Sequence, residues 1–316
     1  MPNDEQTPSL KIALAGGNAL GAFQAGALCA LLAQGLHPAA MTGVSIGSVN
    51  TVLFAAPRDG DPERALRKFW NEAAQDLFTV LPGQHEILAA LTSLLFGRPT
   101  LARSYVAPFP AALAGRNALQ DLVPLARTLE GLVDLDRLSS GPIQVFLGAT
   151  ALEPDEPFVF DAGQTPLRSE HVLASCALPV LFPPVAIGNR TFVDGGVSEN
   201  ILIAPLLDRR GENNLVVLDL FARGGPVPDS LDAAIERLQS LMFAFQSEAV
   251  LGRSQAKDGF VRLIHATYRP PERESAGKTL DFSRRSVEKR WVAGEAVMKR
   301  IIETLDQPFA PGLTRI

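Results

Sequence analysis

Within the first 57 residues, a short apolar run twice gives way to a glycine-bearing turn and then to a helix pattern. Lys11-Ile12-Ala13-Leu14-Ala15 ends at Gly16-Gly17, which predicts a buried strand closed by a turn. Phe23, Ala27 and Leu31 then recur at helical spacing, and Gly35 stands where such a helix would stop. Met41 to Val44 predicts a second strand, followed by a helix through Val49, Val52 and Leu53 that ends before Pro57. Strand then helix, repeated, is the local pattern of a parallel sheet covered by helices. The expected fold class is therefore α/β, with a parallel-rich central sheet flanked by helices.

The rest of the chain extends this pattern. Further strands are expected at Ile143–Leu147, Pro157–Phe160, Leu215–Leu220 and Phe260–His265. Residues 58–140 carry helix-like stretches broken by Pro82, Pro99, Pro108 and Pro110. Two amphipathic helices close the chain, one with the stripe Leu231, Ile235, Leu238, Met242 and Phe245, the other with Val287, Trp291, Met298, Ile301 and Leu305. A length of 316 residues admits two domains or one large one, and no Gly- or Ser-rich linker marks a boundary. We expect a polar tail over 1–9 and a single domain over 10–308, ending in a helical extension from about 223 to 308.

Composition narrows the function classes. Hydrophobic residues at 47% and charged residues at 20% give a sizeable core and exclude wholesale disorder. A net charge of −5 disfavours nucleic acid as a partner. Cys29 and Cys176 form no scaffold pattern and read as small buried hydrophobes in a reducing compartment. The acidic start Met1-Pro2-Asn3-Asp4-Glu5 does not read as a signal peptide, and the apolar run Ile87–Phe96 is about half of a membrane span. The expected location is cytoplasmic.

The turn Gly16-Gly17-Asn18-Ala19-Leu20-Gly21 lies between strand and helix, where backbone N–H groups favour anions. A dinucleotide site would want G-x-G-x-x-G and an acid about 20 residues on, but Asn18 breaks the motif and no Asp or Glu occurs between Glu5 and Asp59. A P-loop fails too, since Glu272 stands where Gly277-Lys278-Thr279 would need its first glycine. An oxyanion hole and a plain tight turn remain. Taken alone, the plain turn is the better reading.

Gly43-Val44-Ser45-Ile46-Gly47 is G-x-S-x-G at the second strand-to-helix junction. A sharp turn there demands small neighbours and lifts the serine Oγ clear of the sheet. The competing reading is a helix N-cap serine. In common α/β-hydrolases several strands precede this elbow, so the present one comes too early for that fold. A nucleophilic serine needs a base. Phe192-Val193-Asp194-Gly195-Gly196 places an acid at a strand end, although a turn aspartate is commonplace.

Taken together, Ala15 through Gly26, Gly43-Val44-Ser45-Ile46-Gly47 and Asp194-Gly195-Gly196 resemble the patatin-like phospholipases in order and spacing. Ala174-Ser175-Cys176-Ala177-Leu178-Pro179 and Phe182-Pro183-Pro184 resemble the segment that precedes the family's aspartate turn. The resemblance spans roughly residues 11–205, and Phe282 through Gly294 is similar to an extension found in a bacterial branch. It implies a patatin-like fold and a lipid acyl hydrolase acting on a lipid ester or phospholipid. Ser45 would be the nucleophile, Asp194 the base, and the N–H groups of Gly16, Gly17 and Asn18 the oxyanion hole, with Gly21, Gly43, Gly47, Gly195 and Gly196 shaping the turns. No metal or cofactor is implied.

Three departures stand out: Asn18 replaces the third loop glycine, Leu20 replaces the basic residue, and Asn200-Ile201-Leu202 replaces N-x-P. Asparagine tolerates positive φ best among non-glycine residues, so the turn can survive. Leu20 removes a positive charge beside the oxyanion site, which keeps open a catalytically weak lipid- or partner-binding protein; an acyltransferase is the third reading. His265 alone among four histidines follows Asp194, so a Ser–Asp–His triad is formally available, but a hydrogen-bonded strand-end residue is the commoner fate. Residues 85–114, rich in Leu, Ala, Phe and Pro, fit either an apolar cap meeting a membrane surface or ordinary helix packing.

Overall fold

The computed structural model describes residues 8–74, 85–106, 115–207, 212–255 and 261–316. The chain opens with β1 (Ser9–Leu14), a 3-10 turn at Asn18–Gly21, α1 (Ala22–Leu32), β2 (Ala40–Val44) and α2 (Ile46–Ala55). The two expected strand–turn–helix units are thus present, and Gly35 sits at φ 68 where α1 stops. Next come α3 (Pro62–Ala73), α4 (His85–Phe96), β3 (Gly97–Arg98), β4 (Ala102–Ser104), β5 (Gln120–Asp121) and α5 (Val123–Leu132). Then follow β6 (Gln144–Leu152), β7 (Asp155–Asp161), α6 (Ser169–Cys176), β8 (Val185–Ile187) and β9 (Arg190–Asp194). The chain closes with β10 (Asn213–Asp219), α7 (Leu231–Gln255), β11 (Val261–Thr267), α8 (Arg284–Leu305) and β12 (Gly312–Arg315).

The main sheet runs in the order β12-β11-β10-β1-β2-β6-β9-β8, with β7 paired to β6 off this path. Strands β12 through β6 pair in parallel, and β7, β8 and β9 add antiparallel partners. β3, β4 and β5 make a separate small antiparallel sheet. The central strands β1, β2, β10 and β11 are almost wholly buried, as expected of a parallel sheet covered on both faces.

The two closing helices behave differently. α8 buries Val287, Trp291, Met298 and Ile301 as its spacing predicts. It lies directly on α1 through glycines: a Cβ on Gly26 would fall 2.1 Å from the Trp291 carbonyl oxygen, and one on Gly294 1.9 Å from that of Phe23. The stripe of α7 instead faces solvent, with Leu231 77% and Leu238 58% exposed. The buried side of α7 carries Ala233, Ser240, Ala244 and Ser247, with Val250 and Leu251 near its end. β12 was not expected from the sequence; it extends the sheet beyond residue 308 by pairing with β11.

Both cysteines are buried and free. Among the described residues, no helix is long and apolar enough to cross a membrane.

Candidate active site

The site forms where β2 and β9 abut along one edge of β6. Val44 of β2 pairs with Gly148, and Asp194 of β9 pairs with the next residue, Ala149. β7 occupies the opposite edge over the same stretch. The residue after Val44 is therefore brought against the last residue of β9, although 149 positions separate Ser45 from Asp194. The Ser45 hydroxyl bears on the Asp194 carboxylate and lowers its pKa, and both residues line one cavity.

Ser45 caps α2 with φ 54 and ψ −124, a conformation L-residues rarely adopt. The glycines around it are sterically required. A Cβ on Gly43 would lie 2.5 Å from the Gly47 backbone, and one on Gly47 would lie 2.4 Å from the Leu14 carbonyl oxygen. Gly195 passes as closely to β6, where a Cβ would meet the Gly148 oxygen at 2.6 Å. Gly21 lies against Ile46 and Trp70.

Asp194 is 3% exposed. Burial pushes its carboxyl up from 3.8 to about 6, against the lowering effect of the Ser45 hydroxyl and the Gly196 N–H. The Gly196 N–H donates to its Oδ1 at 2.7 Å. Its backbone is held too, with its N–H donated to the Ala177 oxygen at 3.0 Å and its own oxygen accepting from Thr150 Oγ1 at 3.0 Å.

The Gly-rich loop lies beside these two residues. A Cβ on Gly16 would sit 3.1 Å from that of Ser45, and one on Gly17 would strike Leu220. Asn18 has φ 51, so asparagine keeps the left-handed conformation that a glycine would supply. The Gly16 N–H is donated to the Asn200 carbonyl at 3.1 Å, and the Asn200 side-chain amide returns a bond to the Gly16 oxygen at 3.2 Å. Among the described residues, no acceptor takes the N–H of Gly17 or Asn18.

A cavity of about 290 Å³ opens over Gly17, Asn18, Ser45 and Asp194, and its further walls are largely apolar, including Leu122, Leu178, Phe182, Phe221, Met242 and Phe282. Among the described residues that line it, Arg98 and Asp194 are the charged ones. Leu20, in place of a basic residue, is fully buried. His265 lies on β11, three strands from β2, or ~14 Å at the usual interstrand spacing. Its Nε2 is 3.0 Å from Asp219 and its Nδ1 is 3.2 Å from the Arg315 guanidinium. Two contacts at the site have no signature in the sequence motifs. Ser175 reaches the backbone of Ser45, and Asn200 ties the aspartate turn to the Gly-rich loop. Both lay in segments matched for pattern, where nothing marked what each side chain touches.

A family model described as patatin-like phospholipase matches residues 12–207, and a second, described as patatin phospholipase (DUF3734), matches residues 231–308. No curated protein matches. Among solved structures, VipD from Legionella pneumophila is 15% identical, with 96% of this chain and 68% of that chain covered and a TM-score of 0.42. Full-length ExoU from the type III secretion system of Pseudomonas aeruginosa, in complex with SpcU, is 17% identical, covering 95% of this chain and 53% of that one, at a TM-score of 0.39. Human GIVD cytosolic phospholipase A2 is 12% identical, covering 95% and 60%, at a TM-score of 0.45. This chain thus spans little more than half the length of ExoU. With one family model matching more than half of its length and a second matching its closing helices, the chain belongs to the patatin-like phospholipase family.

Proposed function

We propose that this chain is a serine lipid acyl hydrolase, of the phospholipase A or esterase type, working through a Ser45–Asp194 dyad. The observation that carries the reading is that β2 and β9, side by side on β6, bring Ser45 and the buried Asp194 into one cavity, with the Asp194 pKa pushed up to about 6 by burial. A carboxylate is an ordinary weak base; burial strengthens it into a range useful near neutral pH.

Ser45 Oγ attacks the ester carbonyl carbon while Asp194 takes the hydroxyl proton. The carbonyl oxygen becomes an oxyanion. With the Gly16 N–H committed to Asn200, the donors to that oxyanion are the N–H groups of Gly17 and Asn18, and Gly16 shapes the loop. Collapse of the tetrahedral intermediate expels the alcohol, which recovers the proton from Asp194. Water, deprotonated by the same carboxylate, then cleaves the acyl-enzyme. The apolar walls of the cavity suit an acyl chain.

A peripheral membrane contact belongs to the same reading. α4 and α7 both pack on the 3-10 turn Ala276–Thr279, and both expose large apolar residues, among them Leu91, Phe96, Leu238 and Phe245. Met242 stands in the exposed α7 stripe and also lines the cavity. We further read residues 10–308 as one functional unit, in which the extension completes the pocket through Met242 and Phe282.

A fluorophosphonate probe tests the reading. It should label the wild type at Ser45 and leave Ser45→Ala unlabelled; equal labelling of the two would overturn the assignment. Product analysis with and without an acceptor alcohol then separates hydrolysis from acyl transfer. A wild type that binds lipid yet neither labels nor turns over an ester panel would be a binding protein on this scaffold.

A further inference from the structure

The last turn of α6 makes more contacts with the dyad than side-chain packing requires. Ser175 is fully buried, and its Oγ accepts the Ser45 N–H at 3.0 Å. The same oxygen donates its proton to the Gly148 carbonyl at 2.5 Å. It also lies 2.7 Å from Ser48 Oγ. A hydroxyl has one proton and two lone pairs. With the proton given to Gly148, Ser48 must be the donor in the third contact, and the Ser175 hydroxyl is saturated. Each of its partners is informative. Ser45 is the nucleophile and Ser48 lies in the first turn of the helix behind it. Gly148 pairs with Val44 and lies on β6, the strand against which β2 and β9 bring the two dyad residues together.

Ser45 needs this support. At φ 54 its backbone departs from both strand and helix, so regular pairing does not provide for its N–H. A strained elbow persists only where its surroundings over-determine it. Two residues further along, the Ala177 oxygen accepts the Asp194 N–H at 3.0 Å. Cys176, between them, lines the cavity, and Asp194 bears on its thiol. Three consecutive residues thus grip the nucleophile's backbone, wall the carboxylate and grip the backbone of the base.

We propose that Ser175 is a positioning residue for acylation: its hydroxyl holds the main chain of Ser45 so that Oγ stays aligned between Asp194 and the ester carbonyl. The proposal rests on the dyad reading above. It also explains why the oxyanion donors come from the Gly-rich loop: the nucleophile's own N–H is taken by Ser175 and does not face the substrate.

The test is stopped-flow labelling by a fluorophosphonate, together with steady-state hydrolysis of a soluble short-chain ester, for wild type, Ser45→Ala and Ser175→Ala. The expected result for Ser175→Ala is a labelling rate constant and kcat lower by about 100-fold, the scale of a small misplacement of a reacting group. KM should stay within about twofold, and the labelling amplitude should remain that of a fully folded sample. A residue that only stabilised the fold would do the reverse, lowering amplitude while the remaining molecules react at the wild-type rate. The pH profile gives a second readout. The Ser45 hydroxyl lowers the Asp194 pKa, so displacing it moves the acid limb to higher pH. The Gly196 N–H and the Cys176 thiol, which also bear on that carboxylate, are left in place. If Ser175→Ala does not fold, Ser175→Cys keeps the packing with a weaker acceptor and should show the same loss in smaller measure. Wild-type rate constants and an unmoved limb in a folded Ser175 variant would overturn the proposal. Failure of the wild type itself to label would overturn the dyad reading, and the proposal with it.

Discussion

Burial that raises the Asp194 carboxyl from 3.8 to about 6 has opposite consequences for activity and stability. The folded state holds the proton more tightly than the unfolded state. The associated stability is therefore present below the unfolded pKa of about 4 and lost as pH rises through about 6. At 1.36 kcal/mol per pH unit between the two values, the ionised carboxylate costs about 3 kcal/mol above neutrality. Asp194→Asn is expected to abolish ester hydrolysis and yet to melt higher than wild type near pH 8, with the gap closing near pH 4. A melting temperature unchanged at both pH values would show that Asp194 is not desolvated as described. Ser45→Ala should be equally inactive, and the double variant little worse than either single, because the two act as a unit. Position 18 tests the loop: with φ 51, Asn18→Gly should keep near-normal turnover. Asn18→Val should lose most of it, since a β-branched residue is a genuine outlier there. The need for a φ-tolerant residue was legible in the sequence. The capture of the Gly16 N–H by Asn200 was not, because it joins residues 184 positions apart.

Elements whose signal is local were read correctly. β1 and β2 are short apolar runs bounded by glycine turns, and α8 carries a stripe that faces the core. α7 shows where periodicity fails. Its stripe at Leu231, Ile235, Leu238, Met242 and Phe245 is strongly apolar, yet the opposite side, small residues followed by Val250 and Leu251, is what fits against the body of the protein. Amphipathicity reports that a helix has two faces; it does not say which one the core accepts. The energetic consequence is direct. Leu238→Gln should change the unfolding free energy by no more than about 0.5 kcal/mol. Met298→Ala, fully buried on α8, should cost ~2–5 kcal/mol. Equal effects in denaturant melts would mean that α7 buries its stripe. The α1–α8 contact is stricter. Gly294→Ala drives a Cβ into the backbone of Phe23, and a rigid main chain cannot yield as a side chain does. A loss of at least about 3 kcal/mol, or insolubility, is expected.

At the scale of the whole molecule, a buried cation ties the C-terminal extension to the first strand–helix unit. Arg290 of α8 is fully buried. It pairs with Glu274 at 3.0 Å and donates to the carbonyls of Asp281, Lys278 and Ala19. Ala19 lies in the turn that carries the Gly-rich loop, so the C-terminal extension directly reaches the end of the sheet where Ser45 and Asp194 lie. Glu274→Gln should destabilise by roughly 3–5 kcal/mol, because it removes the carboxylate paired directly with a buried guanidinium; a loss under about 1 kcal/mol would show that Asp281 and the carbonyls suffice. Neither this contact nor the meeting of β2 and β9 on β6 has a local signature. Both depend on strands and helices from distant parts of the chain, and only the matched order of three motifs made the second foreseeable.

The pH dependence of single-turnover acylation bears most directly on the dyad. With a soluble short-chain ester, the wild-type rate should rise through an apparent pKa of about 6, set by the buried Asp194. Asp194→Asn should abolish the reaction. His265→Gln should keep the profile and most of the rate, since His265 is held by Asp219 and Arg315 away from Ser45. Near-normal acylation by Asp194→Asn, or a loss of three orders of magnitude in a folded His265→Gln, would contradict the account.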